Sequence, residues 1–358
     1  MLQSALDARQ MPVRNGTFMS SREASNHLNW FTAAAVELGG VDAGCEFLHE
    51  SGAVPLQPTA SETYWFTVNL PEEGLVAAFY IVVRQTIPTC LAGVWMYRGL
   101  ASDPLLIEHM NYRFSLPRPT FVGSRLPVAP IGLDIDVVEP MKRWTVAYHP
   151  ADAGIAADIE CEALMPPVLA SSKEHFDQAI WCKGILRIGG RSYDVDAPGF
   201  RDRTWNAPRG EDSLAHPPLD YSWGVMERGR AAFCIRSADD PALGVEWSDR
   251  LSLPAERLFH GGWLYIDGSL YGVTRVSKRS ERDFSCKGRP LSQKITFEDD
   301  QGGTHELTGQ VVGAMYYHPW GNVGAWMSNT VWTLDSTLRG HGEIQELMWS
   351  EYAKACWR

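Results

Sequence analysis

The chain has 358 residues, more than one ordinary small domain holds, so two domains are expected. Its formal net charge is −11 and no basic stripe interrupts it, which argues against nucleic acid as a partner. Hydrophobic residues make up 45%, with 14 Trp, 12 Tyr and 13 Phe, enough for a sizeable core and of the kind that favours strands and lines pockets for apolar ligands.

The N-terminal stretch MLQSALDARQMPVRNG is polar, lacks an apolar signal core and reads as an irregular arm. Ser20 or Ser21 is placed to cap a short helix through Ser25–Leu38, with Glu23 in its first turn and Trp30, Phe31, Ala34, Val36 and Leu38 on its apolar side. GGVDAG ends it. From Glu62 the pattern becomes that of strands: ETYWFTVNL, then EEGLVAAFYIVVRQT, then TCLAGVWMYRG, with Gly93 at a bulge or a close approach. LLIEHMNYRFSLP, GLDIDVVEPMKRWTVAYHP and IAADIECEALMPP continue the series as far as Pro166-Pro167. VLASSKEHFDQ reads as a connector, which divides the chain into an N-terminal β domain, 1–170, and a C-terminal β domain, 171–358.

A second β series follows: AIWCKGILRIGG, SYDVDAPGFRDRTW, YSWGVMERGRAAFCIRS, GGWLYIDGSLYGVTRVSKRS, KITFEDDQGGTHELTG, VVGAMYYHP, AWMSNTVWTLD and EIQELMW. Short turns separate the strands and no solenoid or propeller period appears. The expected fold is all-β, two sandwich or barrel units with few short helices. No run is long enough to span a bilayer, and a soluble cytoplasmic protein without a membrane partner is expected.

The chemistry is narrowed by elimination. None of the ten His forms an HxH or HxxxH pair or a Cys/His cluster, so no local metal site is indicated. No GxGxxG follows a strand and no GxxxxGK[ST] is present, so no nucleotide cofactor is expected. There is no GxSxG elbow. The seven Cys are odd in number and scattered, which reads as reduced thiols rather than a disulfide framework.

The most informative stretch is Asp194–Arg209, DVDAPGFRDRTWNAPR. In an extended chain Arg201, Arg203 and Trp205 share one face, and Phe200, Asp202 and Thr204 the other. A carboxylate on a core-like face is costly unless paired or protonated, which makes Asp202 the leading candidate acid. The same Arg–Asp–Arg run also reads as an ion-paired corner. His216 follows in AHPPLDYSW, and Tyr221 and Trp223 alternate along the next strand. His318, in YYHPWGN, shares its parity with Tyr316 and Trp320. The candidate catalytic residues are Asp202, His216, Tyr221 and His318, and the candidate substrate contacts are Trp205, Trp223, Tyr317, Trp320 and Arg203. Glu343 and Glu346 read as surface charges, or as partners for an Arg that closes the second unit.

The run HFDQAIWCKGILRIGGRSYDVDAPGFRDRTWNAPRG resembles the central segment of the carotenoid hydratase / hydroxyneurosporene synthase and AttH-like family. Phe176 and Gln178 fall on its F-x-Q strand, Gly189 and Gly190 on its Gly-rich hairpin, and Gly199, Asp202, Trp205 and Arg209 on its G-x-x-D-x-S-W-G-x-R motif. Thr204 stands where that motif has Ser, and Asn206-Ala207 where it has Gly. The resemblance implies two lipocalin-like β units side by side and a large apolar ligand. It also implies Asp202 as acid, with Arg201, Arg203 and Arg209 as structural or orienting partners.

The expected function is a cofactor-independent lyase, hydratase or isomerase acting by proton transfer on a bulky hydrophobic or aromatic substrate. The alternative is a lipocalin-like carrier of an apolar metabolite. That small molecule is the expected partner, with a homodimer left open.

Overall fold

A computed structural model of the chain describes residues 36–38, 40–49, 60–152, 154–170, 174–208, 218–249, 258–350 and 352–353. In chain order the first strands are β1 (Val36–Leu38), β2 (Ala60–Leu70), β3 (Leu75–Arg84), β4 (Thr89–Arg98), β5 (Leu100–Ala101), β6 (His109–Pro117) and β7 (Arg125–Val128). They continue with β8 (Leu133–Glu139), β9 (Arg143–Tyr148), β10 (Ala156–Ala163), β11 (Val168–Ala170), β12 (His175–Ile188) and β13 (Arg191–Pro208). After these come β14 (Leu219–Met226), β15 (Ala231–Ser237), β16 (Phe259–Ile266), β17 (Ser269–Asp283), β18 (Arg289–Asp299), β19 (Thr304–Trp320), β20 (Val323–Leu334) and β21 (Leu338–Trp349).

The fold is all-β, as the alternating pattern predicts, with no helix of seven or more residues among the described residues. The first sheet runs β6-β4-β3-β2-β13-β12-β10-β9-β8-β7 and curls into a half-barrel, with β11 on β12 and β1 on β11. The second closes into an eight-stranded barrel, β18-β17-β16-β15-β14-β21-β20-β19 and back to β18, and takes β5 as a short parallel addition.

Two sequence expectations are corrected here. Val36–Leu38, the end of the expected helix, is a strand paired with β11, and the rest of that helix lies outside the described residues. VLASSKEHFDQ is not a plain connector: it holds β11 and the start of β12. Apart from β5, the strands of the first sheet end at Pro208 and those of the second begin at Leu219. β12 and β13, grouped by sequence with the later strands, hydrogen-bond to β10 and β2 of the first sheet. Strand pairing is a long-range choice that period-2 patterning does not encode.

Local chemistry shapes β12 and β13. Gly189 and Gly190 both take positive φ, 57° and 79°, which suits the two-residue turn that joins the strands at Ile188↔Arg191. Gly93 is a close approach: a Cβ there would lie 2.2 Å from the Tyr112 ring.

Every residue of β2 is buried. Its even side chains, Tyr64, Phe66, Val68 and Leu70, enter the core enclosed by the curl. Trp65 points the other way, into a second core shared by both sheets with Trp95, Phe200, Trp223 and Trp263. A strand covered on both faces loses the apolar–polar alternation that marks a half-exposed one. The two sheets therefore meet across an aromatic interface, and the site lies within it.

Candidate active site

Alternation along β13 sorts the central motif. Phe200 stacks on Trp223 of the barrel, with ring centroids 5.2 Å apart. Asp202 and Thr204 follow on the same face and line a cavity between the sheets. From the first sheet Thr63, Trp65, Tyr80 and His175 add to its wall; from the barrel come Tyr221, Tyr317, Trp320, Met327 and Gln345. The cavity holds about 80 Å³. Pockets that enclose a drug-sized ligand measure roughly 300–1,000 Å³. This one takes a ring or one end of a larger molecule.

Its polar end is tightly organised. His175 and Thr204 are paired across β12 and β13, and so are Asp177 and Asp202. The His175 Nδ1 lies 2.8 Å from Thr204 Oγ1, and Nε2 lies 2.7 Å from Asp177 Oδ1. Asp177 is acceptor-only when ionised, so Nε2 carries a proton, and in a neutral imidazole Nδ1 then accepts from the Thr204 hydroxyl. Arg236 of β15 approaches from the barrel, Nη1 3.7 Å from Asp177 Oδ2, its guanidinium 6.0 Å from the Tyr221 ring centre. Burial works to raise the Asp177 carboxyl, but Arg236 and His175 outweigh it and hold the group below the usual carboxylate range. The arrangement is a buried hydroxyl, imidazole and carboxylate in series, with Thr204 lining the cavity and a second carboxylate, Asp202, alongside.

The opposite face of β13 has other work. Arg201 holds Glu46 through both nitrogens, Nη1 to Oε1 at 2.8 Å and Nη2 to Oε2 at 2.7 Å, and lies 4.1 Å from the Trp144 ring centre. Arg203 donates to Glu62 at 2.5 Å over the Tyr64 ring. All four side chains are buried. These pairs tie the segment around Glu46 to the sheet, and neither guanidinium reaches the cavity.

Behind the cavity wall, Glu343 is fully buried between the sheets. Tyr97 donates to its Oε1 at 3.0 Å, Thr67 to its Oε2 at 3.0 Å, and the cavity residue Gln345 to Oε2 at 3.2 Å. Burial pushes its carboxyl up. Inside the barrel, Glu346 meets Arg282 at 2.7 Å, Arg282 meets Asp239 at 2.6 Å, and Lys278 pairs with Asp220. Both glutamates are therefore buried rather than surface charges, and Glu346 takes the Arg-closing alternative. A larger groove, about 970 Å³, crosses the outside of the barrel between Arg279, Lys294 and Arg339. Its wall lacks aromatic rings, so the smaller cavity is the stronger candidate. Among the described residues no group of three or more His, Cys, Asp or Glu is arranged to hold a metal ion. No helix among them is long and apolar enough to cross a membrane.

The family model for a domain of unknown function, DUF7064, matches residues 46–350. The chain belongs to the DUF7064 family. No curated protein sequence matches it. Among solved structures, this DUF7064 protein is similar to an AttH-like protein from Nitrosomonas europaea, with TM-score 0.52 and 12% identity over 82% of this chain and 93% of that one. It is similar to kievitone hydratase from Nectria haematococca, with TM-score 0.50 and 10% identity over 90% of this chain and 98% of that one. It is also similar to CghA solved with Sch210972, with TM-score 0.55 and 12% identity over 88% and 98%. At such identities these likenesses establish a shared fold, the one expected from the AttH-like resemblance.

Of the residues singled out by sequence, Asp202, Tyr221, Tyr317 and Trp320 line one cavity of the DUF7064 fold. Trp320 joins Tyr317 despite opposite spacing because the β19–β20 register shifts between them. Trp223 lies deeper in the same interface, packed on Phe200. Three placements differ from expectation. Arg203 and Trp205 lie on the far face of β13, Trp205 packed with Phe176 and Leu169, because alternation that turns Asp202 inward turns its neighbours away. His318 is exposed, its Nδ1 3.2 Å from the Val323 carbonyl. His216 and Arg209 lie outside the described residues. Sequence reasoning missed His175, Asp177, Thr204 and Arg236 as site residues. The first two carried a signal: His and Asp two apart on a strand share a face.

Proposed function

We propose that the cavity between the sheets is the active site of a lyase, hydratase or isomerase that transfers a proton to or from one end of a hydrophobic or aromatic substrate. The observation that carries this is the presence of Asp202, half-buried, in a wall to which Trp65, Tyr80, Tyr221, Tyr317 and Trp320 contribute rings. Asp202 is the acid. Its cross-strand neighbour Asp177 already bears a negative charge, so keeping a proton on Asp202 avoids two like charges face to face. In a site that excludes water such a carboxyl donates to a C=C bond or a leaving oxygen, and the ring faces stabilise the cation that forms. Tyr221 is placed to orient the reacting end. The shared fold with a kievitone hydratase is in keeping with this class of reaction. A carrier buries most of its ligand, and a cavity of about 80 Å³ suits a reacting end better than a stored molecule.

The test is turnover of isoprenoid and aromatic alkenes and alcohols in heavy-oxygen water, with products read by mass spectrometry. Wild-type protein is expected to add or remove one water, or to move a double bond. Asp202→Asn is expected to lose about 10²–10⁴-fold in rate. A variant within about tenfold of wild type would remove Asp202 from the role of acid.

A further inference from the structure

An acid explains half of a hydration or an elimination; a base must take up a proton elsewhere on the substrate. His175 sits at the cavity with both ring nitrogens engaged, Nε2 on Asp177 at 2.7 Å and Nδ1 on Thr204 at 2.8 Å. It therefore cannot meet a substrate directly without breaking a bond, whereas Thr204 also lines the cavity and a hydroxyl that donates to Nδ1 keeps its acceptor positions. Nucleophile or relay hydroxyls in enzymes are recognised by this geometry of hydroxyl, base and orienting carboxylate, whatever their order in the chain. Here the orienting carboxylate is itself anchored, since Asp177 faces Arg236.

We infer that Asp177, His175 and Thr204 form a proton relay whose hydroxyl end receives the phenolic O–H of an aromatic substrate, with Asp202 at the substrate's other end. The inference rests on the acid–base reading of the cavity and names its substrate class. Thr204 and Asp202 are two residues apart on one strand face, about 7 Å along the strand, roughly the length of a para-substituted phenol. Trp65, Tyr80 and Trp320 supply walls for the ring.

With a para-hydroxystyrene the steps balance. The phenol passes its proton to Thr204 Oγ1 while the Thr204 proton passes to His175 Nδ1. The imidazolium stays hydrogen-bonded to Asp177. Asp202 gives its proton to the terminal alkene carbon, and the ring becomes a neutral quinone methide. Water adds at the benzylic carbon, its proton returns to Asp202, and the relay returns a proton to the phenolate oxygen. The sum is alkene plus water giving a benzylic alcohol. Thr204 is the catalytic residue of the relay, and His175 and Asp177 act through it.

The experiment compares 4-hydroxystyrene with styrene, by calorimetric binding and by incorporation of heavy oxygen from water, in wild type, Thr204→Val and Thr204→Ser. Thermal melts establish that each variant is folded. Wild type is expected to bind the phenol at least about tenfold more tightly than the hydrocarbon, the order expected for one buried polar contact. Thr204→Val, close in shape, is expected to lose that preference and the turnover; Thr204→Ser is expected to keep both. Equal binding of the two probes, no binding of either, or a preference that survives Thr204→Val overturns the relay. A Thr204-dependent preference with no oxygen incorporation supports the phenol site and overturns the acid–base reading instead.

Discussion

Asp177 and Asp202 stand directly opposite each other on β12 and β13, on the face that meets the barrel. Like charges in direct cross-strand register destabilise a sheet. One guanidinium, Arg236, faces Asp177 at 3.7 Å, and Asp177 leads the influences that raise its pKa against burial.

This opposition predicts that stability and activity separate at Asp202. Asp202→Asn keeps the shape and, with Asp202 protonated beside Asp177, removes no charge. It is expected to change unfolding free energy by less than about 0.5 kcal/mol, the scale of a cross-strand pair, while losing about 10²–10⁴-fold in rate. Urea denaturation of the two proteins at neutral pH measures it; a loss of stability would mean that the carboxylate is a structural partner.

Arg201 and Glu46 make the opposite kind of pair, fully buried and bidentate. Glu46→Gln leaves a guanidinium in a dry core and is expected to cost about 3–5 kcal/mol. The double variant Glu46→Met/Arg201→Met is expected to cost much less, because no charge is stranded. Denaturant midpoints of the three proteins decide between these outcomes.

Glu346 predicts a pH dependence. Burial raises its carboxyl from 4.5 to about 8, against the lowering effect of Arg282 and with some help from Asp220. The folded state thus binds a proton that the unfolded state releases near 4.5. The stability this contributes is complete below about pH 4.5 and is lost as pH rises through about 8. The difference in unfolding free energy between wild type and Glu346→Gln is therefore expected to fall as pH climbs through that window. A flat difference would show that Arg282 keeps the carboxylate ionised throughout.

Gly199 is set by contact rather than by backbone angle. A Cβ there would lie 2.5 Å from the Thr67 carbonyl of β2 and 2.7 Å from Cys182 Sγ. The carbonyl belongs to the neighbouring strand and has nowhere to move. Gly199→Ala is expected to destabilise by about 1–3 kcal/mol, as overpacking does, and to weaken the join between β13 and β2 that positions Asp202. Thermal unfolding and cavity-probe binding of the variant are the checks; a neutral effect would indicate that the strands part easily here.

Much of this was legible from residue types in order. Aromatic and β-branched runs broken by short turns specify an all-β chain, since side-chain period and turn chemistry are local properties. The same alternation placed Phe200, Asp202 and Thr204 on one face of a strand and Arg201 and Arg203 on the other, and the structure has them so. What the chain order does not contain is which strands pair and which faces meet. β13 hydrogen-bonds to β2, far earlier in sequence, and Arg236 reaches Asp177 across the gap between two sheets. Only that packing made neighbours of His175, Thr204, Asp177 and Tyr221, turned Glu343 and Glu346 inward, and left His318 in solvent. Burial and charge pairing are sums over distant parts of the chain, and the tertiary structure alone performs them.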